Sequence, residues 1–203
     1  MSRNYYDKIY SQNQNFCGYK PNKLLVGIRK NLTPGSRFLD LGCGQGRDSF
    51  YMARNGFEVM AVDNSKVAIS QIEILAKNKK LSNLKSICQN ISDFKIEPKK
   101  YSLINSINSL QFLPEKEVLE TIKNIQKNIL PGGFVIIQSF TKNNPPSKRR
   151  LFHFETEELK KLFSLPDFEI IHYREKEIID SGHIGAPKPH KHEIVDIIAK
   201  KIN

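Results

Sequence analysis

No apolar run in this 203-residue sequence approaches the ~20 residues needed to span a bilayer, and the opening MSRNYYDKIYSQNQNF has no hydrophobic signal core. A membrane protein is therefore not expected, and a cytoplasmic one is. Cysteine is scarce: Cys17, Cys43 and Cys88 have neither pairing nor metal-binding spacing. That argues against a disulfide framework and fits a reducing compartment. Internal repeats and low-complexity segments are missing too. What is abundant is positive charge, with 32 Lys and Arg against 21 Asp and Glu and a net charge of +11. The lysines are spread over several segments, so the charge reads first as a solvated surface and only second as a nucleic-acid footprint. The length suits one α/β domain with a substantial core.

Two helical stretches come first, about Arg3 to Gln12 and Asn22 to Asn31. Tyr5, Tyr6 and Tyr10 fall close to one face of the first, placed either to pack on a core or to close over a ligand. From Ser36 strands and helices alternate, which predicts a parallel sheet covered on both faces. Strands are expected at Arg37 to Leu41, Phe57 to Val62 (ending at Asp63), Leu84 to Asn90, Tyr101 to Ile107 and Phe134 to Phe140. Ser65 is expected to cap the second helix of this series, Pro114 to open a long helix and Pro131-Gly132-Gly133 to stop it. After a basic loop, TKNNPPSKRR, Thr156 is expected to cap a further helix. Strands at Phe168 to Ile179 and Glu193 to Ile198 would follow, joined by a loop from Asp180 to Lys191.

The organising stretch is RFLDLGCGQGRD, Arg37 to Asp48. A strand, a glycine turn and a helix start in that order form a nucleotide-binding site. The pyrophosphate fingerprint G-x-G-x-x-G is not met, because the position for its third glycine is Arg47. Asp40 before the turn would repel an anion and attract an ammonium. Asp63, about twenty residues on, is placed to accept from both ribose hydroxyls. The ligand implied is a nucleoside with a cationic amino-acid tail.

On these residues the run FLDLGCGQGRDSFYMARNGFEVMAVD resembles motif I and the following acidic strand end of class I S-adenosylmethionine-dependent methyltransferases. The resemblance implies a Rossmann-like α/β fold with a seven-stranded sheet, strands 1–6 parallel and strand 7 antiparallel, helices on both faces and an N-terminal helical cap. It implies S-adenosylmethionine as cofactor, S-adenosylhomocysteine as product, and a division into cap (1–35), cofactor-binding core (36–141) and acceptor-side segment (142–203) of one domain. By the same likeness Gly42, Gly44 and Gly46 admit the methionine moiety, Asp40 bears on its polar end and Asp63 holds the ribose. Asn64, Ser65, Asn90 and Ile91 border the adenine, and Ser106, Ile107 and Asn108 line the methyl-transfer face.

The tail LFHFETEELKKLF, FEIIHYREKEII and GHIGAPKPHKHEIVDIIAKK, together with YYDKIY near the start, resembles the tellurite-resistance TehB-like methyltransferases. This implies a small-molecule acceptor: a tellurite- or selenite-type oxyanion, a thiol or a small metabolite. His190 and His183 are the candidates to orient or deprotonate it, with Arg149 or Lys191 to attract an anion. His183, His190 and His192 are not read as a metal site, since no acidic or cysteine ligand is matched to them. A monomer and a homodimer both fit. Two other functions stay open, an RNA methyltransferase and a non-catalytic cofactor-binding or scaffolding domain. Asn144-Pro145-Pro146-Ser147 lacks the aromatic residue of base-amino methylating enzymes, and no Pro-Cys pair supplies a cytosine C5 nucleophile.

Overall fold

The computed structural model describes residues 4–16, 18–144, 151–180 and 188–203. Helices α1 (Asn4–Gln12) and α2 (Lys23–Arg29) precede the alternating region. That region runs β1 (Arg37–Leu41), α3 (Arg47–Arg54), β2 (Glu58–Asp63), α4 (Lys66–Asn78), β3 (Leu84–Cys88), β4 (Leu103–Ile107), α5 (Glu115–Asn128) and β5 (Phe134–Phe140). The chain then forms α6 (Glu158–Phe163), β6 (Phe168–Asp180) and β7 (His190–Lys201). The strands make one seven-stranded sheet in the order β3-β2-β1-β4-β5-β7-β6. Strand β7 is antiparallel to both β5 and β6, so β6 runs parallel to β1–β5 as expected.

The strands at the centre are apolar on both faces because both are covered. In β5, Phe134 and Ile136 join a cluster with Leu25 and Ile28 of α2, Phe50 and Met52 of α3, and Ile69 and Ile72 of α4. Val135 and Ile137, one residue out of phase, join Val118, Ile122 and Ile125 of α5 and Leu159 and Phe163 of α6. Ser65 caps α4, its hydroxyl accepting from the Ala68 N–H at 3.1 Å. Asn22 caps α2 by accepting from the Leu24 N–H at 2.8 Å.

Several boundaries differ from expectation. Thr156 is not the cap of α6. That position belongs to Glu157 at φ 58°, whose N–H is taken by Glu175, while Glu158 accepts from the Glu155 N–H. Pro114 sits just outside α5 as its cap rather than within the first turn. Strand β3 stops at Cys88, leaving Asn90 and Ile91 in the turn beyond it. Strand β7 is twice the expected length, because its polar ends continue the ladder from Asp180↔His190 to Phe168↔Lys201. His190 and Lys191 are therefore strand residues, not loop residues.

Candidate functional site

The site is built where β1 ends. The N–H groups of Gly42 and Cys43 both donate to the Val62 carbonyl, at 2.8 and 3.0 Å, which turns the chain out of the strand. Gly42 is at φ +75°, and a Cβ there would lie 2.2 Å from the Ser109 Cβ, so the β1 and β4 turns touch with no room for a side chain. Ser109 completes the contact: its hydroxyl donates to the Leu41 carbonyl at 2.9 Å and lies 2.7 Å from that of Ser106. Gly46 at φ +80° then opens α3, and its carbonyl accepts from the Phe50 N–H.

Asp63 closes the turn from the β2 side. One carboxylate oxygen accepts from the Gly44 N–H at 2.8 Å and the other from the Ser65 N–H at 2.9 Å, so a single anion spans both turns. Burial pushes its carboxyl above the ordinary range, opposed by the Ser65 and Gly44 N–H groups. Arg47, the cation beside the glycines, is held by Asp48 in a bidentate pair at 3.1 and 2.9 Å.

Asp40, expected at the polar end of the ligand, has interior partners. It is buried behind the turn, accepting from the Ser49 hydroxyl at 2.6 Å and the Asn105 amide at 3.1 Å. A carboxylate in the middle of a strand that is covered on both faces has only interior partners to meet. Burial, then the charge of Asp48, pushes its carboxyl up to about 7, against the lowering effect of Ser49, Asn105 and Arg47. The folded chain therefore keeps a proton that the unfolded chain releases near pH 4, and stability falls as pH rises from about 4 to about 7. Asp40→Asn removes that slope. Urea unfolding near pH 5 and near pH 7.5 checks it: the native chain should lose about 2 to 3 kcal/mol between them and the variant little.

Two further polar residues are buried as well. Ser65 is fully buried, its hydroxyl donating to Asp7, and Ser106 is fully buried against Ser109. Both are short hydroxyls that satisfy neighbouring turns. Asn64 and Asn108 are exposed, Asn108 in the left-handed region at φ 53° with its N–H on the Gln138 carbonyl at 2.8 Å. Asn90 is half-buried, and Ile91 is buried in the core.

The residues that tie the N-terminal segment to the site were not singled out from sequence. Gln45, an unassigned position inside the glycine turn, accepts from the Phe16 N–H at 2.8 Å and donates to the Asn13 carbonyl at 2.7 Å and to Gln71. Gln71 donates to the Tyr10 carbonyl at 2.8 Å, and Asp7 also accepts from the Val67 N–H at the start of α4. Tyr10 is buried with Ile9 and Ala68, and Tyr6 meets Phe112 edge-on at 5.2 Å, just past β4. The tyrosines pack, and they pack beside the turns.

His190 belongs to a separate group at the far end of the β6–β7 ladder, with His192, Asp180 and Asn144. His183 and Arg149 lie outside the described residues. Among the described residues no helix is long and apolar enough to cross a membrane.

The family model described as tellurite resistance protein TehB matches residues 2–183. Hemagglutinin 1 of Eikenella corrodens is 28% identical over 165 residues, covering 80% of this chain and 54% of its own. The probable S-adenosyl-L-methionine-dependent methyltransferase TehB of Haemophilus influenzae (strain 10810) is 30% identical over 153 residues, 74% of this chain and 52% of that protein. The chain thus spans about half the length of these curated relatives. The crystal structure of TehB from Haemophilus influenzae superposes with a TM-score of 0.80 at 24% identity, over 97% of this chain and 67% of that one, and shares the fold. The family match covers most of the chain that carries the glycine turn and the acidic strand end, and the chain belongs to the TehB family.

Proposed function

We propose that this chain is an S-adenosylmethionine-dependent methyltransferase that acts on a small-molecule nucleophile, of the soft oxyanion or thiol class. The observation that carries the reading is Asp63, an anion fixed between the two turns by the Gly44 and Ser65 N–H groups. The donor chemistry fits the cofactor. A negative group faces the turn, and the cation next to the glycines, Arg47, is paired with Asp48. Such a set suits a cationic nucleoside and not a pyrophosphate.

Asp63 would take the ribose hydroxyls, the Gly42 to Gly44 backbone would border the amino-acid portion, and Asn64, Asn90 and Ile91 the base. When bound, the cofactor supplies an electrophilic methyl group on a sulfonium. The protein's part is to position and to exclude water. Collinear alignment of nucleophile and methyl group gives effective molarities on the order of 10⁵ M or more. The acceptor side is assigned to the segment from 142 onward, and Asn108, exposed at the end of β4, stands at the transfer face. Tyr6 and Phe112 beside the turns are suited to keep the site dry. An acceptor that arrives as an anion needs no base.

Calorimetry with S-adenosylmethionine, followed by an S-adenosylhomocysteine release screen over selenite, tellurite, small thiols and tRNA, tests this. Micromolar donor binding and turnover with a small anion or thiol are expected. No donor binding at ~1 mM overturns the reading, and turnover on tRNA alone replaces the acceptor class.

A further inference from the structure

The β6–β7 ladder brings Asp180 of β6 to His190 and His192 of β7, ten and twelve positions away in the sequence. Asp180 pairs directly with His190, and His192 is two residues further along β7, so all three share one face. Each offers a ligand atom, and these atoms lie within 4.8 Å of one another. The acidic partner missing from the sequence pattern is supplied by strand register. The neighbouring cation, Lys191, is on the opposite face, paired with Glu177 at 2.9 Å.

His190 Nδ1 is 2.9 Å from the Lys188 carbonyl oxygen, which can only accept, so Nδ1 carries the proton. His192 Nδ1 is 2.9 Å from the Asn144 side-chain oxygen, which also accepts from the Glu193 N–H at 3.1 Å, so this Nδ1 is a donor too. In its neutral form each ring is thereby set in the tautomer that presents the Nε2 lone pair. A hydrogen bond from the other ring nitrogen to an oxygen is the arrangement that orients metal-ligating histidines. His192 is further held by stacking on Phe140, with ring centroids 4.9 Å apart and planes at 16°, and His190 meets it edge-on at 4.6 Å.

We infer that Asp180, His190 and His192 bind one divalent transition-metal ion at the end of the β6–β7 ladder. Two imidazoles and a carboxylate suit zinc, nickel or cobalt(II) and not magnesium, which prefers oxygen ligands. Three protein ligands leave coordination positions for an exogenous group, as in metal sites that bind substrate. The end of β6 is also the carboxyl edge of the sheet, the edge at which β1, β2 and β4 turn. A use of the ion in holding a thiolate or oxyanion acceptor rests on the methyltransferase reading; metal binding does not.

The test uses the full chain with any polyhistidine tag removed, stripped with chelator and titrated with ZnCl2, NiCl2, CoCl2 and MgCl2 in the absence of methyl donor. One transition-metal ion per chain is expected, with visible cobalt(II) d–d bands and no competition from magnesium. Asp180→Asn and His190→Ala should each weaken binding about tenfold or more, and Asn144→Ala, which acts through His192, about tenfold. A cobalt(II) spectrum indistinguishable from that of the aqueous ion overturns the inference whether or not the variants fold. So does wild-type affinity in the His190→Ala/His192→Ala chain.

Discussion

Gly42→Ala is expected to cost about 2 to 5 kcal/mol of stability, among the larger effects a single methyl group can have. Two costs add. The left-handed backbone at φ +75° is disfavoured for any residue with a Cβ by roughly 1–2 kcal/mol. The new methyl also lands 2.2 Å from the Ser109 Cβ, an overlap that something must move to relieve, typically for about 1–3 kcal/mol. What moves is Ser109, whose hydroxyl joins the Leu41 carbonyl to Ser106, so the β4 turn is displaced together with the β1 turn. Urea unfolding of Gly42→Ala beside Gly42→Ala/Ser109→Gly separates the two costs. The double variant should regain the packing share and not the backbone share. If the single variant unfolds like the native chain, the turns are not in contact.

The second large effect is at Asp63. Asp63→Ala strands the Gly44 and Ser65 N–H donors, and each unsatisfied donor costs about 1–3 kcal/mol to the extent that water cannot replace the lost acceptor. Asp63→Asn is no remedy, because one of the two acceptors becomes an NH2 group facing a backbone N–H. On the methyltransferase reading both variants should also weaken donor binding about 100-fold or more, since charge-assisted bonds to the ribose are lost along with the turn that frames it. Calorimetry reports the binding and denaturant unfolding the stability, so the two losses are read separately. Native donor affinity in a folded Asp63→Ala chain removes Asp63 from the cofactor site.

How much of this could be read in advance depended on the kind of residue. Strands β1 and β5 were legible to the residue, because apolar runs bounded by Pro-Gly and Gly-Gly leave little freedom in where pairing starts. The Ser65 cap was legible for the same local reason. Polar residues in the site were harder. Asp40, Ser65 and Ser106 sit at the expected positions of the chain, yet their side chains are buried on Ser49, Asp7 and Ser109. Sequence distance does not say whether a short polar side chain is spent on a neighbouring turn. The ends of β7 were missed because hydropathy has no signal there; His190 to His192 become strand only by pairing with Ile178 to Asp180. The same register hides the acidic partner of the histidines. Gln45 and Gln71 gave no sign at all, since an amide that bonds backbone carbonyls across the fold leaves no local pattern.

The order β5-β7-β6 places a later strand inside an earlier one, and this bears on aggregation. Until β7 is inserted, the open edge of the sheet is β5, the apolar FVIIQSF, a segment of the kind that pairs with other chains. Strand β6 cannot protect it, having no partner in the sheet except β7. Pairing β6 with β7 is local in the chain, which favours its formation ahead of the β5–β7 pairing. Once docked, the edge shown to solvent is β6, which interleaves Glu169, Arg174, Glu175, Lys176 and Glu177 with its apolar residues. The hairpin that holds the histidine cluster is thus also what replaces an adhesive edge with a charged one.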